Sequence, residues 1–137
     1  MLTIHTAEEG VTVAVAGDRV AAVGSYEELA ERFPGARVRR WPGRLGPARV
    51  HEGPLPDAPT PRERVHEVLK LGAVAVLAEH ADTPELRAAA DRNHVLVLPR
   101  SGSLPLTESA RADLAVFTPE GECVATVCAG RLVHRRR

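Results

Sequence analysis

Aromatic side chains are nearly absent: one Trp, one Tyr and two Phe make up 3% of 137 residues. A core must therefore be built from Val, Leu and Ala, and single-stranded bases would find no stacking platform. Net charge is also absent, with 18 basic and 18 acidic residues. That balance removes the electrostatic case for nucleic acid, and three arginines at residues 135–137 are too short a run to restore it. No apolar stretch approaches the length of a membrane span; residues 72–78 are among the longest. The first residues carry neither a basic region nor an apolar region of the kind a signal peptide needs. Cysteine is limited to Cys123 and Cys128, on what reads as one strand. Their odd separation puts them on opposite faces, so reduced thiols are expected, not a disulfide or a shared metal. These absences predict a cytoplasmic protein without nucleic-acid or membrane partners. Seventeen of the 18 basic residues are Arg, which reads as the mark of a high-GC bacterial genome.

The length fits a single domain with a real core. Residues 2–24 read as short strands: Val11, Val13 and Val15 alternate with small residues, and Gly17-Asp18 turns the chain into residues 19–23. Ser25 and Glu28 form a capping box for a short helix with Leu29 and Phe33 inward. Residues 36–41 read as a strand with Val38 as its buried residue and Arg37, Arg39 and Arg40 solvated. Residues 52–60, rich in Pro, read as a linker or rigid loop. Thr60-Pro61 and Glu63 then open a helix with Val65, Val68 and Leu69 on one stripe, ended by Gly72. Residues 73–78 read as a strand covered on both faces. Thr83-Pro84-Glu85 starts a second helix, with Leu86, Ala89 and Ala90 inward and Asn93 at its end, and residues 95–98 read as a second fully buried strand. Two buried strands joined by a helix imply a parallel unit. Residues 112–117, 122–128 and 131–134 return to β structure.

Both ends carry wording of a known kind. Asp18-Arg19-Val20-Ala21-Ala22-Val23-Gly24 and Pro34-Gly35-Ala36-Arg37-Val38 resemble the opening of metal-dependent amidohydrolases such as imidazolonepropionase and aminodeoxyfutalosine deaminase. Ala112-Asp113-Leu114-Ala115-Val116-Phe117 and Ala129-Gly130-Arg131-Leu132-Val133 resemble their close. The resemblance spans about residues 1–50 and 103–134, and it implies a small β-sandwich built from both ends. In that family the sandwich stands beside a TIM barrel, which takes about 250 residues. The middle of this chain is similar to only the first βα units of such a barrel. The family's His-x-His metal pair would fall at Gly53 and Leu55, neither of which can ligate, so no catalytic residue carries over.

Histidines stand at 5, 51, 66, 80, 94 and 134 with no metal-binding spacing among them. Glu79, His80 and Asp82 follow a predicted parallel strand at the end where α/β folds place ligands. Solvated loop residues, with Asp82 and Thr83 serving the next helix, are the simpler reading. His51 and Glu52 sit where the family's active site begins and could act as base and acid, but no third member is visible. Ser101-Gly102-Ser103 resembles a nucleophile elbow in composition only. Glycine-rich phosphate loops are missing.

The resulting expectation is an α+β fold: a small β-sandwich formed by both chain ends (residues 1–52 and 103–137) with an αβαβ insert (60–100), all in a single domain 1–137. Functionally the chain reads as a truncated amidohydrolase relative without catalytic residues, metal or cofactor, serving as an accessory, scaffold or ligand-binding protein. The rival is a small hydrolase of a non-peptide C–N bond with a re-evolved site near His51 or His80, with Glu52 and Asp82 as their companions. Apolar runs in the insert predict a homodimer or a protein partner.

Overall fold

The computed structural model describes residues 2–136. In chain order the elements are β1 (Leu2–Gly10), β2 (Thr12–Ala16), β3 (Arg19–Gly24), α1 (Tyr26–Arg32), β4 (Arg37–Pro47), β5 (Arg49–His51), α2 (Pro61–Lys70), β6 (Ala73–Leu77), α3 (Pro84–Arg92), β7 (Leu96–Leu98), β8 (Leu114–Phe117), β9 (Cys123–Cys128) and β10 (Arg131–Arg135). The two chain ends make one seven-stranded sheet, in the order β10-β9-β8-β4-β1-β2-β3. The middle makes a three-stranded sheet, β5-β6-β7. Fold class is thus α+β, as the sequence predicts.

The large sheet bends at a bulge in β4. Ala7 pairs with Trp41 and Glu9 with Arg44, so Glu8 faces two residues, Pro42 and Gly43. A bulge is a place where a strand tolerates proline, because one ladder hydrogen bond is already lost. Gly43 has φ +93, and a Cβ there would lie 2.3 Å from the Phe117 carbonyl oxygen. Its N–H donates to Glu8 Oε1 at 2.9 Å, which replaces the missing ladder partner. Beyond the bulge β4 continues to Pro47 and pairs antiparallel with β8. The strand is therefore longer than the predicted 36–41.

Bending brings the two halves of the sheet face to face. Val13, Val15 and Val20 from one half share a cluster with Leu114, Val116, Val124 and Val127 from the other. Each such burial contributes roughly 1.5–3 kcal/mol. The closure is tight at one corner, where the Val20 N–H reaches the Ala110 carbonyl at 2.9 Å. The expected sandwich thus exists as one bent sheet folded on itself.

α1 covers the opposite face of β1–β3, with Leu29 against Ile4, Ala14 and Ala22. Val38 lies on that same face but one strand farther out, paired with Ile4. A helix of seven residues does not reach it, and Val38 is 37% exposed, contrary to the sequence expectation.

The insert is βαβαβ, not αβαβ. β5 precedes α2 and pairs parallel with β6, which pairs parallel with β7. Three residues of mixed polarity gave β5 no periodic signal. Both helices start as predicted: Thr60 Oγ1 accepts from the Glu63 N–H, and Thr83 Oγ1 from the Leu86 N–H. β6 is buried along its whole length within the single chain. β7, as an edge strand, is only half-buried and not fully buried as the sequence predicts, and Val95 just before it is the residue that enters the core. Insert and sheet share one apolar cluster, which includes Val65, Val68 and Val76 together with Ala115 and Cys128. Thr126 Oγ1 donates to the Leu69 carbonyl at 2.7 Å and pins α2 to β9.

Candidate functional site

Parallel strands present their C-terminal ends as the natural ligand side, and here β5 and β6 end in the predicted candidates. His51 closes β5, half-buried, with Nε2 2.9 Å from the Pro54 carbonyl oxygen. Glu52 follows it, exposed. His80 sits in a single 3₁₀ turn after β6, its Nε2 3.9 Å from Glu79 Oε1. Asp82 is exposed, and Thr83 alone supplies the side-chain cap of α3. His51 and Glu52 line an open concavity of about 780 Å³; His80 and Asp82 do not. Among the described residues, no three His, Cys, Asp or Glu side chains group closely enough to hold a metal ion.

That concavity brings in residues from the far end of the chain: Cys123, His134 and Arg136. No local pattern announces them, because their approach to β5 depends on how β9 and β10 pack beside it. Arg49 marks the rim, its guanidinium 3.8 Å over the Phe117 ring, while Arg136 pairs with Glu122. Burial pushes the Cys123 thiol up, against its hydrogen bonds with Thr126 and Ala125 and the nearby arginines. Burial likewise draws His134 below its ordinary value, helped by the positive charges of His66 and Lys70 and opposed by a backbone hydrogen bond at Cys123. A protonated thiol beside a neutral imidazole is not an activated nucleophile. Chemically the concavity is suited to contact, with donors and cations at its edge.

The two cysteines lie on the same face of β9, which corrects the sequence expectation. Val116 pairs with Ala125 but Phe117 pairs with Cys123, so Val124 is an extra residue and the alternation slips by one. Cys123, Thr126 and Cys128 all turn toward the helices: Cys123 Sγ meets Thr126 Oγ1 at 3.3 Å, and Cys128 Sγ meets the His94 carbonyl oxygen at 3.4 Å. Both thiols are free. Burial raises Cys128 to about 11 despite the adjacent Arg111.

At the positions where the resemblance puts metal histidines, the residues present do not fit a metal. Gly53 has no side chain, and Leu55 is 4% exposed inside the cluster built by α2, β6 and α3. Ser101 and Ser103 are exposed in an irregular segment after β7, without the strand-to-helix turn that a nucleophile elbow requires.

Three buried polar pairs escaped the sequence reading, the first being the Thr6 and Thr12 hydroxyls of β1 and β2, 2.8 Å apart. His5, 4% exposed, stacks against Trp41 and accepts its Nε1–H at Nδ1, 3.3 Å away. Asp113 accepts from Arg111 Nε at 2.7 Å and from the Ala129 N–H at 2.9 Å. The pairs tie separate segments of the large sheet together.

A bent sheet made from both chain ends, joined to the beginning of a parallel α/β sheet, is the arrangement the amidohydrolase resemblance implies. The family model for the imidazolonepropionase-like composite domain of bacteria matches residues 13–36, which here form β2, β3, α1 and the turn into β4. No curated protein sequence matches the chain. Among solved structures, guanine deaminase from Bradyrhizobium japonicum is 17% identical, over 60% of this chain and 26% of its own, with a TM-score of 0.44. Aminofutalosine deaminase from Helicobacter pylori is 14% identical, over 69% of this chain and 32% of its own, with a TM-score of 0.48. The chain thus spans about a quarter to a third of the length of these structures. No helix among the described residues is long and apolar enough to cross a membrane.

Proposed function

We propose that the protein is a non-catalytic relative of the amidohydrolase composite domain, acting as a scaffold or ligand-binding module. The observation that carries this reading is Leu55, a core residue where the family would place a metal histidine. The parallel sheet has three strands, so it cannot close into the barrel that supplies the family's remaining ligands. His51 and His80 do not share a cavity, and the thiol that stands nearest His51's concavity is held protonated. Elemental analysis of purified protein, paired with hydrolysis assays on cyclic amidines and amides, tests the reading. It predicts substoichiometric zinc and iron, and no hydrolysis with or without added metal. One equivalent of tightly held metal, or metal-dependent turnover, overturns it.

The scaffold reading includes self-association through the insert. β7 is an edge strand of its sheet, as β5 is, and only half-buried, so its free edge offers backbone groups to a second copy. Light scattering at micromolar concentration should then read twice the 14.7 kDa chain mass. A strict monomer excludes it.

A further inference from the structure

The C-terminal turn of α3 carries a histidine where glycine is the usual residue. His94 follows the cap residue Asn93 with φ 59. The Val95 N–H closes the turn on the Ala90 carbonyl at 2.8 Å, the pattern in which the left-handed residue is most often glycine. A residue with a Cβ loses about 1–2 kcal/mol in that conformation. Arg111 Nη1 fixes the strained peptide from below by donating to the His94 carbonyl at 2.7 Å.

Held this way, His94 lines a cavity of about 280 Å³ together with Arg62 and His66 of α2, Arg92 of α3 and Arg131 of β10. Leu69, Cys128 and Val133 supply the apolar part of its wall, and Asn93 a further polar one. No carboxylate lines the cavity. Among the described residues, Arg62, Arg92 and Arg131 make no ion pair. The nearest carboxylates on α2 are otherwise engaged: Glu63 accepts from the Thr60 hydroxyl and Glu67 pairs with Lys70 Nζ at 2.7 Å. Three elements distant in sequence thus bring exposed guanidinium groups to the edge of one small space that no carboxylate lines. Gathered like charges repel, and a bound anion removes that repulsion.

We propose that this cavity binds a small multivalent oxyanion, of the phosphate-monoester class. Planar guanidinium groups match the geometry of phosphate oxygens. The volume lies just below the range for small-molecule pockets, roughly 300 Å³ and above, so it suits a phosphate group with a small organic part. The proposal is independent of whether the chain is catalytic.

An NMR titration of the full chain tests it, with inorganic phosphate in one arm and glycerol phosphate in the other, at ionic strength held constant with potassium chloride. Both should shift the amides of His66, His94 and Arg131 saturably, glycerol phosphate at least as tightly as phosphate. Arg92→Ala or Arg131→Ala should weaken binding about tenfold or more, while Arg40→Ala, which stacks on Tyr26 elsewhere, should leave it unchanged. Unshifted amides away from the cavity verify that the variants fold. Shifts that do not saturate, that chloride reproduces, that gather around Arg37 and Arg39, or that survive both cavity variants overturn the proposal.

Discussion

Asp113 Oδ1 accepts the Ala129 N–H at 2.9 Å and so ties the residue before β8 to the turn between β9 and β10. Its other oxygen takes Arg111 Nε at 2.7 Å, and the same arginine reaches the His94 carbonyl at the end of α3. One carboxylate, 4% exposed, therefore holds together the chain's C-terminal strands and its insert. Within the stretch of residues 112–117 that resembles the close of an amidohydrolase, the only charged side chain serves the fold.

Replacing that carboxylate leaves Arg111 without its partner and the Ala129 N–H unsatisfied. Asp113→Ala should cost about 3 kcal/mol, the range for breaking a buried ion pair. Asp113→Asn, which keeps an acceptor for the amide, should cost less. Urea denaturation of the three proteins measures this, and a loss below about 1 kcal/mol for the alanine variant contradicts the role assigned here.

Ala129 itself offers a stabilising change. It and Gly130 have φ 50 and 81, the pair of left-handed residues that a two-residue hairpin turn demands. Asparagine tolerates that conformation better than alanine, so Ala129→Asn should raise stability by about 0.5–1 kcal/mol in thermal or urea unfolding. Unchanged or lowered stability would mean that the turn is not limited by backbone strain.

Leu55 separates the core reading from a hidden metal site. Leu55→Ala should lose about 2–4 kcal/mol through the cavity left behind. Restoring the family pattern with Gly53→His and Leu55→His should destabilise at least as much, because the second imidazole enters an apolar cluster without a partner. Zinc added to the double variant should not recover the loss, as calorimetry with and without metal will read.

Local signals were the legible ones. The caps at Ser25, Thr60 and Thr83 and the stripes of α2 and α3 are written within a few residues, and each formed as read; the valine alternation held for Val13 and Val15 but not for Val11, which lies exposed between β1 and β2. What escaped depends on partners far along the chain. The bulge at Pro42-Gly43 needs Glu8 and Phe117 to define it, and the extra Val124 that turns both cysteines to one face is visible only against β8. Val38 is exposed because α1 stops one strand short of it. The same holds for the cavities: Cys123 and His134 beside His51, and Arg131 beside Arg62, are products of tertiary packing.

Thiol chemistry follows from that packing. With Cys128 raised to about 11 and Cys123 raised as well, little thiolate exists at neutral pH. A thiol-specific disulfide reagent should label Cys128 only after denaturation and Cys123 more slowly than a free thiol. Rapid labelling of either in the folded protein would show an activated sulfur.

His5 makes stability depend on pH. Burial, with a smaller contribution from the charge of Arg39, lowers its pKa from 6.5 to about 4. The folded state thus keeps the ring neutral, as it must be to accept the Trp41 Nε1–H at Nδ1. In the unfolded chain the ring gains a proton below its ordinary value, so the unfolded state binds more protons between these two pKa values. The stabilisation is complete above pH 6.5, falls as pH drops through that window, and levels off below about 4. Linkage gives a loss of about 1 kcal/mol between pH 7 and pH 5.5, before carboxylates begin to protonate. His134, less buried and lowered in the same direction, adds a smaller loss of the same sign. Urea denaturation at the two pH values should show this drop in the native protein. His5→Phe, though less stable at pH 7 for want of the Trp41 acceptor, should lose most of the pH dependence. An equal pH dependence in the variant would show that the proton is taken up elsewhere.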